Sequence, residues 1–218
     1  MTTSPVVPTV RERLDRSRLY LCTDASRGPA ELVAFVREVI DGGVDIVQVR
    51  DKRLSARDEL VLIDAVHEVC SRSGALFAVN DRADFAQLTA AEILHTGQDD
   101  LPVGAARELL GPDVVLGRST HSVEQAGQAS ADPDVDYFCV GPLWETPTKP
   151  GRAAVGLATV REVAASRPAK PWFAIGGIDE RRLDEVLEAG ATRIVVVRAI
   201  TQADDPGAAA RRLRSRLG

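Results

Sequence analysis

Short apolar runs alternate with longer amphipathic stretches along this chain from about residue 18 to the C-terminus. The short runs are RLYLCTD (18–24), DIVQVRD (45–51), LFAVND (76–81), EILHTG (92–97), VVLGRST (114–120), YFCVGPLW (137–144), PWFAIGG (171–177) and RIVVVRAI (193–200). They are brief and rich in β-branched or aromatic residues, the pattern of strands buried on both faces of a parallel sheet. Between them lie helical stripes, clearest over 55–73, where Leu62, Ile63, Val66, Val69 and Cys70 share one face. Ser55 with Asp58, and Ser122 with Gln125, have the spacing of helix starts, while Leu183, Val186 and Leu187 followed by Gly190 mark a stripe and its stop. A strand-then-helix unit repeated eight times in roughly 200 residues predicts a single (β/α)8 TIM barrel rather than an open doubly wound sheet, which usually has about five or six strands. The expected organisation is a loosely ordered lead-in over 1–17 and one barrel over 18–218.

Composition narrows the functional classes. The 218 residues are 44% hydrophobic and 27% charged, with 27 Lys and Arg against 32 Asp and Glu and a net charge of −5. That balance argues against broad attraction to nucleic acid or an anionic membrane surface, so an anion site has to be built locally. No run approaches the roughly 20 consecutive apolar residues of a membrane span, and the first residues lack a signal-peptide core, so a cytoplasmic location is the default expectation. Cys22, Cys70 and Cys139 are odd in number and far apart, which fits small buried hydrophobes better than a disulfide framework or a zinc site.

In a barrel of this class the chemistry sits at the C-terminal ends of the strands. The second run ends in Gln48, Val49, Arg50, Asp51 and Lys52, and a period of two puts Gln48, Arg50 and Lys52 on one face, predicted to be the interior side shared with Val44 and Ile46. Cations there need an anion or a carboxylate to offset their desolvation. Asn80 and Asp81 end the third run, and Gly97, Gln98, Asp99 and Asp100 follow the fourth. Two carboxylates converging from neighbouring strand ends opposite cations suit a Mg²⁺ ion bridging a diphosphate, although each taken alone also suits a helix cap or a turn. Arg118, Ser119, Thr120 and His121 follow the fifth strand, where amides and hydroxyls can meet an oxyanion; His121 is either an acid/base group or a structural histidine, and His67 and His95 read as structural. The segment from Trp144 to Arg152, with Thr146, Thr148 and Lys149 and prolines at 147 and 150, has the makings of a loop closing over phosphate groups. Gly176 and Gly177 after the seventh strand, and Val197 and Arg198 near the end of the eighth, occupy the usual phosphate-binding strand positions of such barrels.

Taken in order, LYLCTD, QVRDK, VNDR, HTGQDDLP, STHS, GPLWETPTK, IGGI and VVVRAI resemble the successive motifs of the thiamine phosphate synthase family, from about Arg18 to Ala210. The resemblance implies a Mg²⁺-assisted transferase that joins a hydroxymethylpyrimidine diphosphate to a thiazole phosphate, with loss of pyrophosphate. It implies that Gln48, Arg50, Lys52, Asn80, Ser119 and Lys149 contact the pyrimidine diphosphate, with Arg50, Lys52 and Lys149 assisting departure of the pyrophosphate. It likewise implies that Asp81 and Asp100 ligate the metal and that Thr146, Thr148, Gly177, Val197 and Arg198 contact the thiazole phosphate. A homo-oligomer is a family-level expectation to which no stretch of the chain can be assigned. The chain departs from the family at Arg198, where serine is commoner, at Trp144, where tyrosine is usual, and at Arg118, where a small apolar residue is common. Such a displacement needs no protein nucleophile, in keeping with a sequence that suggests no Ser-His-Asp or Cys-His arrangement. The rival readings are a thiazole tautomerase using His121, a non-catalytic barrel sensing a thiamine precursor, and another phosphate-handling barrel; the cluster of Arg50, Lys52, Asp81, Asp100 and Lys149 favours the synthase over the first, metal dependence separates it from the second, and the QVRDK and TPTK motifs argue against the third.

Overall fold

The computed structural model describes residues 8–51, 53–146 and 153–218. Eight parallel strands close into a barrel in sequence order: β1 Leu19–Thr23, β2 Ile46–Val49, β3 Leu76–Asn80, β4 Ile93–Thr96, β5 Val115–Thr120, β6 Tyr137–Val140, β7 Trp172–Ile175 and β8 Ile194–Val196. The helices after them are α2 Pro29–Asp41, α3 Ala56–Ser73, α4 Ala83–Leu88, α5 Val103–Leu110, α6 Val123–Ala131, α7 Gly156–Ala165, α8 Leu183–Glu188, and the pair α9 Arg198–Thr201 and α10 Pro206–Ser215. This is the expected (β/α)8 barrel. Two expected helix starts are realised as side-chain caps, Ser55 accepting from the Asp58 amide and Ser122 from the Gln125 amide. Gly190, with φ +99°, takes the left-handed turn just after α8.

Two differences from the sequence reading affect the ends of the barrel. Within the lead-in expected to be loosely ordered, Val10–Arg16 form a helix, α1, opened by a reciprocal capping box between Thr9 and Glu12. Leu14, 1% exposed, packs with Tyr20, Ile46 and Leu76 and closes the N-terminal end of the interior. At the other end the apolar run through 193–200 stops being a strand after Val196, because the chain turns at Val197 into α9. That turn places Val197 and Arg198 at the barrel mouth rather than in the sheet.

Burial divides into two shells. The outward faces of the strands pack against the helices through Leu21, Val47, Val49, Phe77, Val79 and Leu94. Val44, expected inside, belongs to this outer shell because β2 begins two residues after it. The inward faces carry Tyr20, Ile46, Ala78, Ile93, Val115, Tyr137, Cys139, Phe173 and Val195, filling the barrel. Gly117 makes room in this interior: a Cβ there would lie 2.2 Å from Cζ of Tyr137.

Carboxylates immediately before the even-numbered strands β2, β4 and β6 brace the N-terminal rim. Asp45 accepts from the Arg18 and Leu19 amides, Glu92 from the Phe77 amide at 3.3 Å, and Asp136 from the Leu116 amide at 2.8 Å. Before β8 the corresponding residue is Arg193, which donates instead to the Asp15 carbonyl.

Glu92 also meets Nε2 of His67 at 3.2 Å, while the opposite ring nitrogen lies 3.1 Å from the Thr89 carbonyl. The bond to Glu92 holds the His67 pKa above its ordinary 6.5 despite partial burial. Burial pushes the Glu92 carboxyl up, but its hydrogen bonds, from His67 first, leave it net below its ordinary 4.5. The histidine contributes stability that is complete below about pH 6.5 and lost as pH rises through its raised folded value. The carboxylate contributes stability present above about pH 4.5 and lost as pH falls through its lowered folded value. His67→Gln is therefore expected to cost more stability at about pH 5.5 than at about pH 8, by up to roughly 1 kcal/mol. Urea unfolding of both proteins at the two pH values checks this, and an equal cost at both would show that the pair does not titrate as described.

Candidate active site

At the C-terminal ends of the strands, two neighbouring cavities share one floor. The larger, about 430 Å³, lies over β5 to β8, between Thr146, the Gly176–Gly177 turn and the Val197–Arg198 turn. The smaller, about 60 Å³, lies over β1 to β5, with Gln48, Arg50 and Asn80 along its wall. Ser119, Cys139, Ile175, Val195 and Val197 line both.

The strand register explains which expected residues arrive here. Gln48 pairs across the sheet with Cys22 and with Ala78, and Asn80 with His95, so the inward face of the first four strands ends in a polar layer. Gln48 is 3% exposed, its amide fixed between Cys22 and Tyr20. Arg50 lines the smaller cavity, and its backbone amide is bonded to the Thr23 carbonyl. Asp51 points away into a fork with Arg53, whose hydrogen bonds hold its carboxyl down at about 2.

Gly176 and Gly177 have φ of +102° and +74°, left-handed values that favour glycine, and a Cβ on Gly176 would lie 2.5 Å from the Pro142 backbone. The guanidinium of Arg182 braces the turn, donating to the Gly177 carbonyl at 2.8 Å and lying 4.6 Å from the centre of the Trp144 ring. Tryptophan at 144 thus gives Arg182 a wide face on which to stack. Arg198 begins α9 as an exposed residue on the wall of the larger cavity. Arg118 turns outward, donating to the Thr96 hydroxyl and the Gln98 carbonyl.

Asp81 and Asp100 end up on adjacent strand tops. Asp81 follows β3 with φ +60°, its amide bonded to the His95 carbonyl. Asp100 folds back over the turn after β4, one carboxylate oxygen accepting from the Gly97 amide at 2.8 Å, in space that a Cβ on Gly97 would invade. Among the described residues no group of three or more His, Cys, Asp or Glu side chains could hold a metal ion. Lys52, Thr148 and Lys149 lie outside the described residues.

Two histidines belong to the site in different ways. His121 lines the larger cavity, with Nδ1 at the Gly141 carbonyl and its amide donating to Gln125. His95, read from sequence as structural, is inside the barrel mouth, with Nε2 2.9 Å from the Ser119 hydroxyl and Nδ1 3.0 Å from the Tyr137 hydroxyl. A serine–histidine pair therefore does exist here, with a phenol where a hydrolase would carry a carboxylate. The signal available in the sequence was alternation: His95 is in phase with Ile93, and Ser119 with Gly117 and Val115.

A closed (β/α)8 barrel with two joined cavities at its strand ends defines a barrel enzyme whose site faces the loops after the strands. A family model described as thiamine monophosphate synthase matches residues 19–200. The thiamine-phosphate synthase of Thermobifida fusca is 57% identical over 209 residues, covering 96% of both chains, and that of Streptomyces avermitilis is 56% identical over 209 residues, covering 96% of this chain and 97% of the relative. Among solved structures, a thiamine phosphate pyrophosphorylase from Pyrococcus furiosus is similar with a TM-score of 0.83 at 31% identity, covering 96% of this chain and 98% of the other. The chain belongs to the thiamine monophosphate synthase family, and it is a transferase. Among the described residues no helix is long and apolar enough to cross a membrane.

Proposed function

We propose that this barrel joins 4-amino-2-methyl-5-hydroxymethylpyrimidine diphosphate to thiazole phosphate, or its carboxylate, giving thiamine phosphate and pyrophosphate. The observation that carries the reading is the pair of joined cavities with a common floor, one flanked by Gln48, Arg50 and Asn80 and the other by the two glycine-containing and arginine-containing turns. Two substrates that react with each other need adjacent sites with an open boundary.

On this reading the methylene–oxygen bond of the pyrimidine diphosphate breaks, the electron pair leaves with pyrophosphate, and the thiazole nitrogen forms the new bond to the methylene carbon. The pyrimidine amino group supports the positive charge that develops as the bond lengthens. Gln48, Asn80 and Ser119 orient the ring, while Arg50, with Lys52 and Lys149 by family resemblance, offsets the charge of the departing diphosphate. Thr146, Gly177, Val197 and Arg198, with Thr148 by the same resemblance, hold the thiazole phosphate.

Asp81 and Asp100, hard carboxylates on neighbouring strand tops, are the residues that would hold a Mg²⁺ ion. When bound, Mg²⁺ supplies charge neutralisation of the leaving pyrophosphate.

The partition of the two cavities has its own test. Arg198→Ser is expected to raise KM for the thiazole phosphate about 10-fold or more, the worth of one charge-assisted contact, and to leave KM for the pyrimidine diphosphate within about 2-fold. Steady-state kinetics with each substrate varied in turn decides it. Equal losses on both substrates would dissolve the partition.

A further inference from the structure

One chain of hydrogen bonds crosses the floor of the site from one side of the barrel to the other. The Cys22 thiol donates to Oε1 of Gln48 at 3.3 Å, and Nε2 of Gln48 donates to the Tyr20 hydroxyl at 2.8 Å. The Tyr20 and Tyr137 hydroxyls are 3.4 Å apart, Tyr137 meets Nδ1 of His95 at 3.0 Å, and Nε2 of His95 meets the Ser119 hydroxyl at 2.9 Å. Tyr20, Gln48, Tyr137, His95 and Ser119 are all buried. Tyr20 and Tyr137 stack edge-on against Phe173, at centroid distances of 5.7 Å each, so their hydroxyls have little freedom to turn elsewhere.

The sense of this chain follows from proton counting. A phenol has one proton, and burial pushes both tyrosine pKa values well up, so both phenols keep theirs. Tyr20 already receives the Gln48 N–H, so its own proton is directed to Tyr137. Tyr137 in turn directs its proton to Nδ1 of His95. An imidazole that accepts at Nδ1 carries its proton at Nε2 and donates there. The oxygen of Ser119 is then occupied as an acceptor from His95, and its own proton is left for the cavity.

We propose that His95 is a positioning residue which, through this oriented chain, obliges Ser119 to act as a hydrogen-bond donor to the pyrimidine substrate. The occupant must then present an acceptor, such as a pyridine-type ring nitrogen, to Ser119. A C–H or N–H at that place would leave the serine proton without a substrate partner. Because the same chain fixes the amide of Gln48, the two polar contacts on opposite walls are set by one arrangement rather than independently.

The inference rests on reading Ser119 as a substrate contact, but its geometry is testable without substrate. The experiment is ¹⁵N NMR of the histidine side chains in the free full-length protein at mildly alkaline pH, with His95 assigned by substitution. The wild type is expected to show His95 as a single Nε2–H tautomer. Tyr20→Phe breaks the chain two bonds away, keeps the ring packing and leaves Tyr137 free to donate or accept, so both His95 tautomers are expected in that variant. An Nδ1–H form or a mixture in the wild type, or an unaltered Nε2–H tautomer in Tyr20→Phe, would overturn the proposal. In the coupled reaction Tyr20→Phe is expected to raise KM for the pyrimidine diphosphate about 10-fold with kcat within about 2-fold, a split that general loosening of the barrel would not produce. An unchanged KM would likewise overturn it. Absence of product from the wild-type protein would remove the substrate assignment instead, leaving the NMR result to judge the chain.

Discussion

Asp81→Asn is expected to lower turnover by about 100-fold or more while leaving thermal unfolding within about 2 °C of the wild type. The substitution removes the charge proposed to ligate Mg²⁺ and keeps size and shape. Asparagine is the appropriate replacement because Asp81 sits at φ +60°, a region that asparagine and aspartate enter more readily than other non-glycine residues. Alanine would add backbone strain to loss of the carboxylate and blur the interpretation. Turnover at saturating substrates, alongside a thermal melt, separates the two effects. A folded Asp81→Asn protein with near-normal turnover would refute the metal assignment.

Gly117→Ala is expected to cost about 3 kcal/mol of stability, or a fall in Tm of roughly 6–12 °C. A Cβ at 117 would stand 2.2 Å from Cζ and 2.5 Å from the hydroxyl of Tyr137, whereas non-bonded carbons rest at about 3.5–4 Å. Tyr137 cannot move aside freely, because Tyr20, His95 and Phe173 surround its ring. Whatever displacement it makes pulls its hydroxyl from His95, so the variant is also expected to bind the pyrimidine diphosphate more weakly. Gly127→Ala is the control: it lies inside α6 with nothing within 4 Å of the added Cβ, and it is expected to be neutral or stabilising by about 0.5–1 kcal/mol. Denaturant unfolding of the two variants checks both, and equal stabilities would contradict the packing described for Tyr137.

The barrel was legible because eight apolar runs alternate with helical stripes, and because Ser55 and Ser122 carry their caps in the local sequence. The helix at Val10–Arg16 was legible in principle from Thr9 and Glu12, but its short length and the prolines before it hid the signal. Polar residues at the strand ends could be placed at the mouth from alternation alone, as Gln48, Asn80 and Ser119 show. What alternation cannot give is the partner of an inward residue. His95 is 24 residues from Ser119 and 42 from Tyr137, and only the stagger of neighbouring strands brings the three together. For the same reason the sequence could not say where Arg118 and Arg198, which depart from the family pattern, would point, or that Arg182 would meet Trp144. Arg118 bonds outward across β4, Arg182 stacks on Trp144, and Arg198 faces the larger cavity.

The most direct test of the account is formation of thiamine phosphate from the pyrimidine diphosphate and the thiazole phosphate by the purified protein, measured with Mg²⁺ and again with a chelator. Product and pyrophosphate are expected in equal amounts with the metal, with a loss of at least about 100-fold without it. No product with Mg²⁺ present, while the thiazole phosphate still binds or isomerises, would contradict it and make His121, on the wall of the larger cavity, the residue around which the chemistry has to be rebuilt.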